Sequence, residues 1–341
     1  MTAPSRLRLD RAALVDNWCA LARMSGTAAC GAAVKADGYG LGARAVVTHL
    51  AAAGCRDFFV ATWAEAAALG ELEAPLSVLH GVRAEDLEQA LHGHARPVLN
   101  TAAQVRRWRE AGGGACDVMV DTGMNRLGIS PADVHAGLLD GLTIDTLMSH
   151  LACADEDAAM NARQRQALAG LAGRTAARRL SLANSAGIAL GGDYAFDLTR
   201  PGLALYGGVS RGEFAAIIRP VVTIEAQVLQ VRRVPAGAPV GYNATWTSRR
   251  DSDVAIVNLG YADGYRRALS DRGTAFVSGS AVPVIGRVSM DLTALDVTDC
   301  PIGEGEWVAF DTDLARVSAA SGVSQYELLT GLGARFERRW T

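Results

Sequence analysis

Eight short apolar runs along the first two thirds of the chain constrain its fold more than any other feature. They fall at 32–36, 57–62, 76–81, 96–100, 116–123, 143–150, 179–184 and 196–207. Between most of them lie segments of helical periodicity, at 43–53, 64–72, 101–110 and 158–177. Buried strands alternating with helices form parallel β/α units. Eight units in about 220 residues predict a (β/α)₈ barrel, a little shorter than the usual length of about 250. An open doubly wound sheet is the alternative. Its usual mark, G-x-G-x-x-G after the first strand, is absent, since Gly38, Gly40 and Gly42 are spaced G-x-G-x-G.

The character changes after residue 218. Short strand-like runs at 223–234, 252–257, 274–277, 282–287, 292–297 and 307–310 are separated by Pro, Gly and Asp turns, and helical periodicity returns only around 317–329. This predicts an α/β barrel over 8–218 followed by a mainly β C-terminal domain over 219–341, to which the N-terminal segment 1–7 is a candidate addition. With 50% hydrophobic and 20% charged residues, the 341-residue chain can bury a sizeable core. A net charge of −3 argues against nucleic acid as a partner. No apolar run reaches membrane length and no apolar stretch follows the N-terminus, so neither a membrane nor a secretory signal is expected. The six cysteines lie far apart with no C-x-x-C pair and read as reduced thiols of a cytoplasmic protein.

Lys and Arg together number 33, and all but Lys35 are arginine. Compositional bias explains the arginines without invoking function, but it leaves the one surviving lysine unexplained. Arginine stays charged, whereas lysine can lose its proton and form an imine with an aldehyde. Lys35 follows the apolar Ala32-Ala33-Val34 and precedes the glycine-dense Asp37-Gly38-Tyr39-Gly40-Leu41-Gly42. It is therefore expected where a buried strand gives way to a loop, partly desolvated and with a lowered pKa.

In such a barrel, chemistry sits at the C-terminal strand ends, with a phosphate site often formed after the seventh and eighth strands. The unusual polar residues fall there. Lys35 ends the first strand, Asp121-Thr122-Gly123-Met124-Asn125-Arg126 the fifth, Ser149-His150 the sixth and Asn184-Ser185-Ala186-Gly187 the seventh, while Arg200-Pro201-Gly202 interrupts the eighth. Any one alone is unremarkable: an Asn-Ser pair is commonly a helix cap. Together they supply a lysine for an imine, small residues with free N–H groups for a phosphate and an arginine for a ring acceptor. That combination meets the needs of pyridoxal 5'-phosphate.

The motifs extend further. Ala33-Val34-Lys35-Ala36-Asp37-Gly38-Tyr39-Gly40, Asp121 to Gly128, Ser149 to Glu156, Ala183 to Gly187, Arg200 to Gly207, Gly260-Tyr261-Ala262-Asp263-Gly264-Tyr265 and Gly286-Arg287-Val288-Ser289-Met290-Asp291 stand in one order along nearly the whole chain. In these the sequence resembles the alanine racemases, fold type III pyridoxal-phosphate enzymes of bacterial cell-wall precursor supply. The resemblance implies a barrel plus a C-terminal β domain, a head-to-tail homodimer with shared active sites, and interconversion of L- and D-alanine for peptidoglycan. It implies that Lys35 is the cofactor-linked lysine and one catalytic base, and that Tyr261 of the second subunit is the opposite base. Tyr39, Ser185, Gly202 and Leu203 match phosphate-binding positions, with Asn184 beside them. Arg200 matches the arginine facing the pyridine nitrogen, with His150 behind it. Arg126 matches the residue near the cofactor phenolate and substrate carboxylate. Met290, also from the partner, matches a backbone N–H that meets that carboxylate. No metal is expected: His92-x-His94 has no third ligand nearby and reads as a solvated loop.

Two departures stand out. Many relatives carry a carbamylated lysine where this chain has Met119, and a phosphate-contacting tyrosine where it has Gly333-Ala334-Arg335-Phe336. Tyr242, Tyr265 and Asp291 are either entrance residues or structural ones. The rival readings are a basic amino-acid decarboxylase, a serine or broad-range racemase, and a non-catalytic pyridoxal-phosphate-binding protein.

Overall fold

A computed structural model describes residues 3–341; Met1 and Thr2, within the candidate addition 1–7, lie outside the described residues. The chain divides into two compact units. One comprises Leu14–Leu205 and Val209–Ile218; the other comprises the described residues up to Ala13, Tyr206–Gly208 and Arg219–Thr341. Among the described residues no helix is long and apolar enough to cross a membrane.

The first unit is a parallel barrel. Phe58–Val60, Leu76–Val78, Ala95–Leu99, Cys116–Met119, Ile144–Met148, Arg179–Ser181 and Leu198–Thr199 follow one another around it. The first strand comes in two pieces, Ala29–Cys30 and Ala32–Ala33, on either side of Gly31. One piece pairs with Leu198–Thr199 and the other with Phe58–Val60, so this strand closes the ring. Gly31 permits the closure because a Cβ there would lie 2.8 Å from the Asp57 carbonyl oxygen. Helices follow the strands at Ala43–Ala53, Trp63–Leu69, Leu87–His92, Ala102–Glu110, Pro131–His135, Ala159–Ala169 and Ser185–Ala189. The expected (β/α)₈ architecture is therefore present. Phe59, Val98, Met119, Met148 and Leu198, contributed by five strands, form an apolar cluster in the interior. Met119, set apart by the resemblance, is part of that apolar packing.

The N-terminal end of the barrel carries a buried ionic network. Arg179 reaches Asp57 at 2.8 Å and Asp145 at 2.6 Å. Arg96 reaches Asp145 at 3.1 Å and Asp117 at 3.6 Å. Asp117 is fully buried and also accepts from Ser77 Oγ at 2.6 Å and the Thr146 N–H at 3.0 Å. Burial pushes its carboxyl pKa up, and Arg96 and Ser77 oppose that shift. Such a network is balanced only as a set, because removing one cation strands desolvated carboxylates. Arg179→Met is expected to cost about 3 kcal/mol of folding stability. Denaturant titration measures it, and a loss well under about 1 kcal/mol would place these charges among weak surface pairs.

The second unit is antiparallel. Its long strand Val222–Val234 alternates buried and partly exposed residues over its first half, which pairs with Ser5–Leu9 and Trp307–Phe310. Past a register shift between Val228 and Gln230, the same strand pairs with Ser252–Val257. The sheet continues through Thr293–Asp296, Ser280–Ile285 and Thr274–Val277 back to Trp307–Phe310, while Glu337–Trp340 adds in parallel to Ser5–Leu9. This is the mainly β architecture expected for the C-terminal part. Tyr265, left open as entrance or structural, is structural: it is buried with its ring edge-on to Phe310 at 4.9 Å, and burial pushes its pKa up.

Candidate active site

Val34 ends the first barrel strand by donating its N–H to the Phe59 carbonyl at 2.8 Å. The chain then makes one left-handed turn. Ala36, Asp37, Gly38 and Tyr39 all have φ between 52° and 62°. For a residue with a Cβ this conformation costs roughly 1–2 kcal/mol, so Ala36, Asp37 and Tyr39, the three non-glycine residues of this turn, need external support. Gly38 N–H donates to Val34 O at 2.8 Å and Gly40 N–H to Ala36 O at 2.9 Å. Asp37 accepts from the Ala43 N–H at 2.8 Å, tying the turn to the next helix. The decisive tie comes from Glu65. One of its oxygens accepts from the Ala36 N–H at 2.7 Å, and the other accepts from the Ala61 and Thr62 N–H groups at 2.6 and 3.3 Å. The backbone position next to Lys35 is thus fastened to the second strand's capping box.

Lys35 is partly buried, and its amine is held below the usual lysine pKa by burial and then by Arg126, with Glu65 opposing. His150 is pushed down to about 3 by burial and by Arg200, Arg126 and Lys35, so it is neutral at physiological pH. These mutual effects bring together four of the residues expected from the sequence. Arg200 is 6% exposed, has no direct ion pair among the described residues, and is lowered to about 10 chiefly by burial, with Asp117 opposing. Its guanidinium donates to Ser181 Oγ and to the Ser149 carbonyl at 2.6 Å. Arg200 thus bonds to the backbone one residue before His150, while the imidazole is coupled to it through charge. Arg126 lies on an exposed turn whose backbone is held by Asp121, which accepts from the Gly123 and Arg126 N–H groups at 2.8 and 3.2 Å.

The seventh and eighth strand ends meet at Ser185. Its hydroxyl oxygen accepts from the N–H groups of Gly202 and Ala204 at 2.9 and 3.2 Å. A Cβ at Gly202 would collide with the Tyr39 hydroxyl, so Tyr39, Ser185 and Gly202 converge, with buried Leu203 opening the next turn. Asn184 caps the short helix Ser185–Ala189 by accepting from the Gly187 N–H at 2.9 Å. Two residues not singled out from sequence support this mouth. Gln164 donates to the His150 carbonyl at 2.9 Å and accepts from the Ala152 N–H at 2.9 Å. Glu65 holds the lysine turn; its signal was the Thr62-x-x-Glu65 capping box.

Tyr261 and Met290 belong to the second unit. Both are exposed, at 41% and 55%, as is Tyr242 at 67%. Their loops are joined by backbone bonds from the Tyr261 N–H to Ser289 O and from the Ala262 N–H to Met290 O, each 3.0 Å.

An electropositive barrel mouth with a low-pKa amine and convergent N–H donors defines a protein suited to an anionic, phosphorylated ligand that an amine can attack. The family described as "Alanine racemase, N-terminal domain" matches residues 9–210, and "Alanine racemase, C-terminal domain" matches residues 221–340. The chain is 44% identical over 349 residues to the alanine racemase of Acidiphilium cryptum, covering 97% of each chain. It is 41% identical over 368 residues to the biosynthetic alanine racemase of Agrobacterium fabrum, covering 99% of this chain and 94% of the other. The crystal structure of alanine racemase from Bartonella henselae with covalently bound pyridoxal phosphate superposes with a TM-score of 0.91 at 34% identity, over 99% of this chain and 100% of that one. The chain belongs to the alanine racemase family.

Proposed function

We propose that this protein is a pyridoxal-phosphate-dependent alanine racemase, acting as a cytoplasmic homodimer that supplies D-alanine for peptidoglycan. The observation that carries this reading is the chain's one lysine, held at the barrel mouth with a depressed pKa among Arg126, Arg200 and His150.

The residues present fit the cofactor. Arg200 is a buried cation with no direct ion pair among the described residues, a donor-only group suited to a ring nitrogen that stays unprotonated. The absent Cβ of Gly202, the Ser185 hydroxyl and Tyr39 form a cradle for a phosphate, with Asn184 and Leu203 flanking it. When bound, the cofactor supplies delocalisation of the charge left when an α-proton departs. Lys35 Nζ, neutral more readily than an ordinary lysine, is the attachment point and carries a proton on one face of the substrate. Tyr261 Oη of the second subunit carries a proton on the other face, and two bases on opposite faces suffice to invert the centre. Arg126 and the Met290 N–H orient the substrate carboxylate. His150, kept neutral, adds no competing charge beside Arg200. The exposure of Tyr261, Met290 and Tyr242 on one unit supports a surface completed by a second copy.

A panel of L-amino acids offered to the holoenzyme tests this reading. L-Alanine is expected to reach an equal mixture of enantiomers, faster than any other amino acid. Carbon dioxide release from ornithine or lysine would favour a decarboxylase, faster turnover of serine a broader racemase, and a yellow but inert protein a binding module.

A further inference from the structure

Arg335 lies in the turn before the last strand, Glu337–Trp340. It reaches two carboxylates on two separate loops. Its Nε lies 2.7 Å from Asp263, and its Nη1 donates to Asp291 at 2.7 Å. Among the described residues no other side chain is paired with both. Asp263 follows Tyr261 by two residues, is 1% exposed, and accepts the Gly260 N–H at 2.9 Å with its second oxygen. Asp291 follows Met290 directly and is exposed. The loops already touch, since a Cβ at Gly260 would collide with the Met290 carbonyl.

We propose that Arg335 is a positioning residue for racemisation, a planar fork that fixes the Tyr261 loop against the Met290 loop. The inference rests on the reading of Tyr261 as proton carrier and Met290 as carboxylate contact. The exposed half of the bridge, to Asp291, adds little to stability, because pairs in water contribute at most about 1 kcal/mol. Its effect is geometric. A rigid guanidinium holds two acceptors at a set spacing in a way that a flexible ammonium does not. An error of about 1 Å between a proton carrier and its substrate can cost on the order of 10²-fold in rate.

The test is Arg335→Met in the holoenzyme, read by kcat and KM for alanine and by α-proton exchange of each enantiomer in deuterium oxide. The expected result is a fall in kcat of about 10- to 100-fold with a raised KM. Exchange on the Lys35 face, without inversion, should stay near the wild-type rate while the Tyr261 face slows. Arg335→Lys should recover part of the loss, and Asp291→Ala, which removes only the exposed arm, should show the same asymmetry more weakly. Should Arg335→Met not fold, the Asp291→Ala result decides. Unchanged kinetics, or exchange slowed equally on both faces, would overturn the proposal. An inert wild type would remove the functional reading and this inference with it; an active wild type with unaffected variants would remove this inference alone.

Discussion

Lys35→Ala is expected to abolish racemisation, lowering kcat by about 10⁴-fold or more, because it removes both the covalent attachment and one proton carrier. Lys35→Arg should be equally inactive, since a guanidinium keeps its proton and cannot serve as a nucleophilic amine. This chain gives the experiment unusual clarity, because no other lysine side chain can substitute. Borohydride reduction followed by mass measurement should fix the cofactor to the peptide containing residue 35 in wild type and to no side chain in either variant. The depressed pKa sets the pH dependence. Burial and Arg126 disfavour the charged amine, so the neutral form appears at lower pH than for a free lysine. Activity limited by this group should rise with pH through a midpoint below the ordinary lysine value. A midpoint at or above that value would contradict the electrostatics of the barrel mouth.

Tyr261→Phe should lower kcat by about 10²- to 10⁴-fold, the usual range for a lost general acid–base group. Unlike Lys35→Ala, it should leave the cofactor attached. It should also leave α-proton exchange intact for the enantiomer whose proton faces Lys35, while exchange of the other collapses. Tyr261 is exposed and its backbone is held by Ser289, so deleting the hydroxyl removes no buried contact of the second unit. An equal loss of exchange from both enantiomers would show that the phenol is not confined to one face.

Much of this was legible in the sequence, for identifiable reasons. Each of the eight predicted apolar runs overlaps a barrel strand, because buried parallel strands are apolar on both faces. The runs overestimate strand length where polar turns begin. The run 116–123 keeps its ladder only over Cys116–Met119, since Asp121 draws the following backbone into its own turn. The run 196–207 contains only Leu198–Thr199, because Arg200-Pro201-Gly202 leaves the ladder. The helix read at 317–329 is two helices, Leu314–Ser321 and Gln325–Thr330, broken at Gly322 with φ of 70°. The strands Ser5–Leu9 and Glu337–Trp340 lie outside the predicted runs. Their pairing joins opposite ends of the chain, and Glu337-Arg338-Arg339 has no apolar alternation to show it.

The site divides similarly. Lys35 announced itself by rarity and by its position at the end of an apolar run. The left-handed turn that carries it was hidden, because Ala36 and Asp37 give no glycine signal for positive φ. Glu65 and Gln164 were hidden because they act on backbone far away in sequence. Glu65 reads locally as an ordinary capping-box residue, and only the folded barrel brings its second oxygen to the Ala36 N–H. The Arg335 bridge was hidden as well, because nothing local shows that Asp263 and Asp291 fold within reach of one guanidinium.

The central claim is that one subunit's lysine works opposite its neighbour's phenol, and mixed dimers test it most directly. Lys35→Ala and Tyr261→Phe chains, each inactive as a homodimer, are co-expressed with different tags and the hybrid is isolated. In the hybrid one site has lost both groups and the other retains both, so the account predicts about half the wild-type activity per dimer. A hybrid as inactive as either parent, with cofactor bound, would mean that Lys35 and Tyr261 serve the same site from the same chain, and would contradict it.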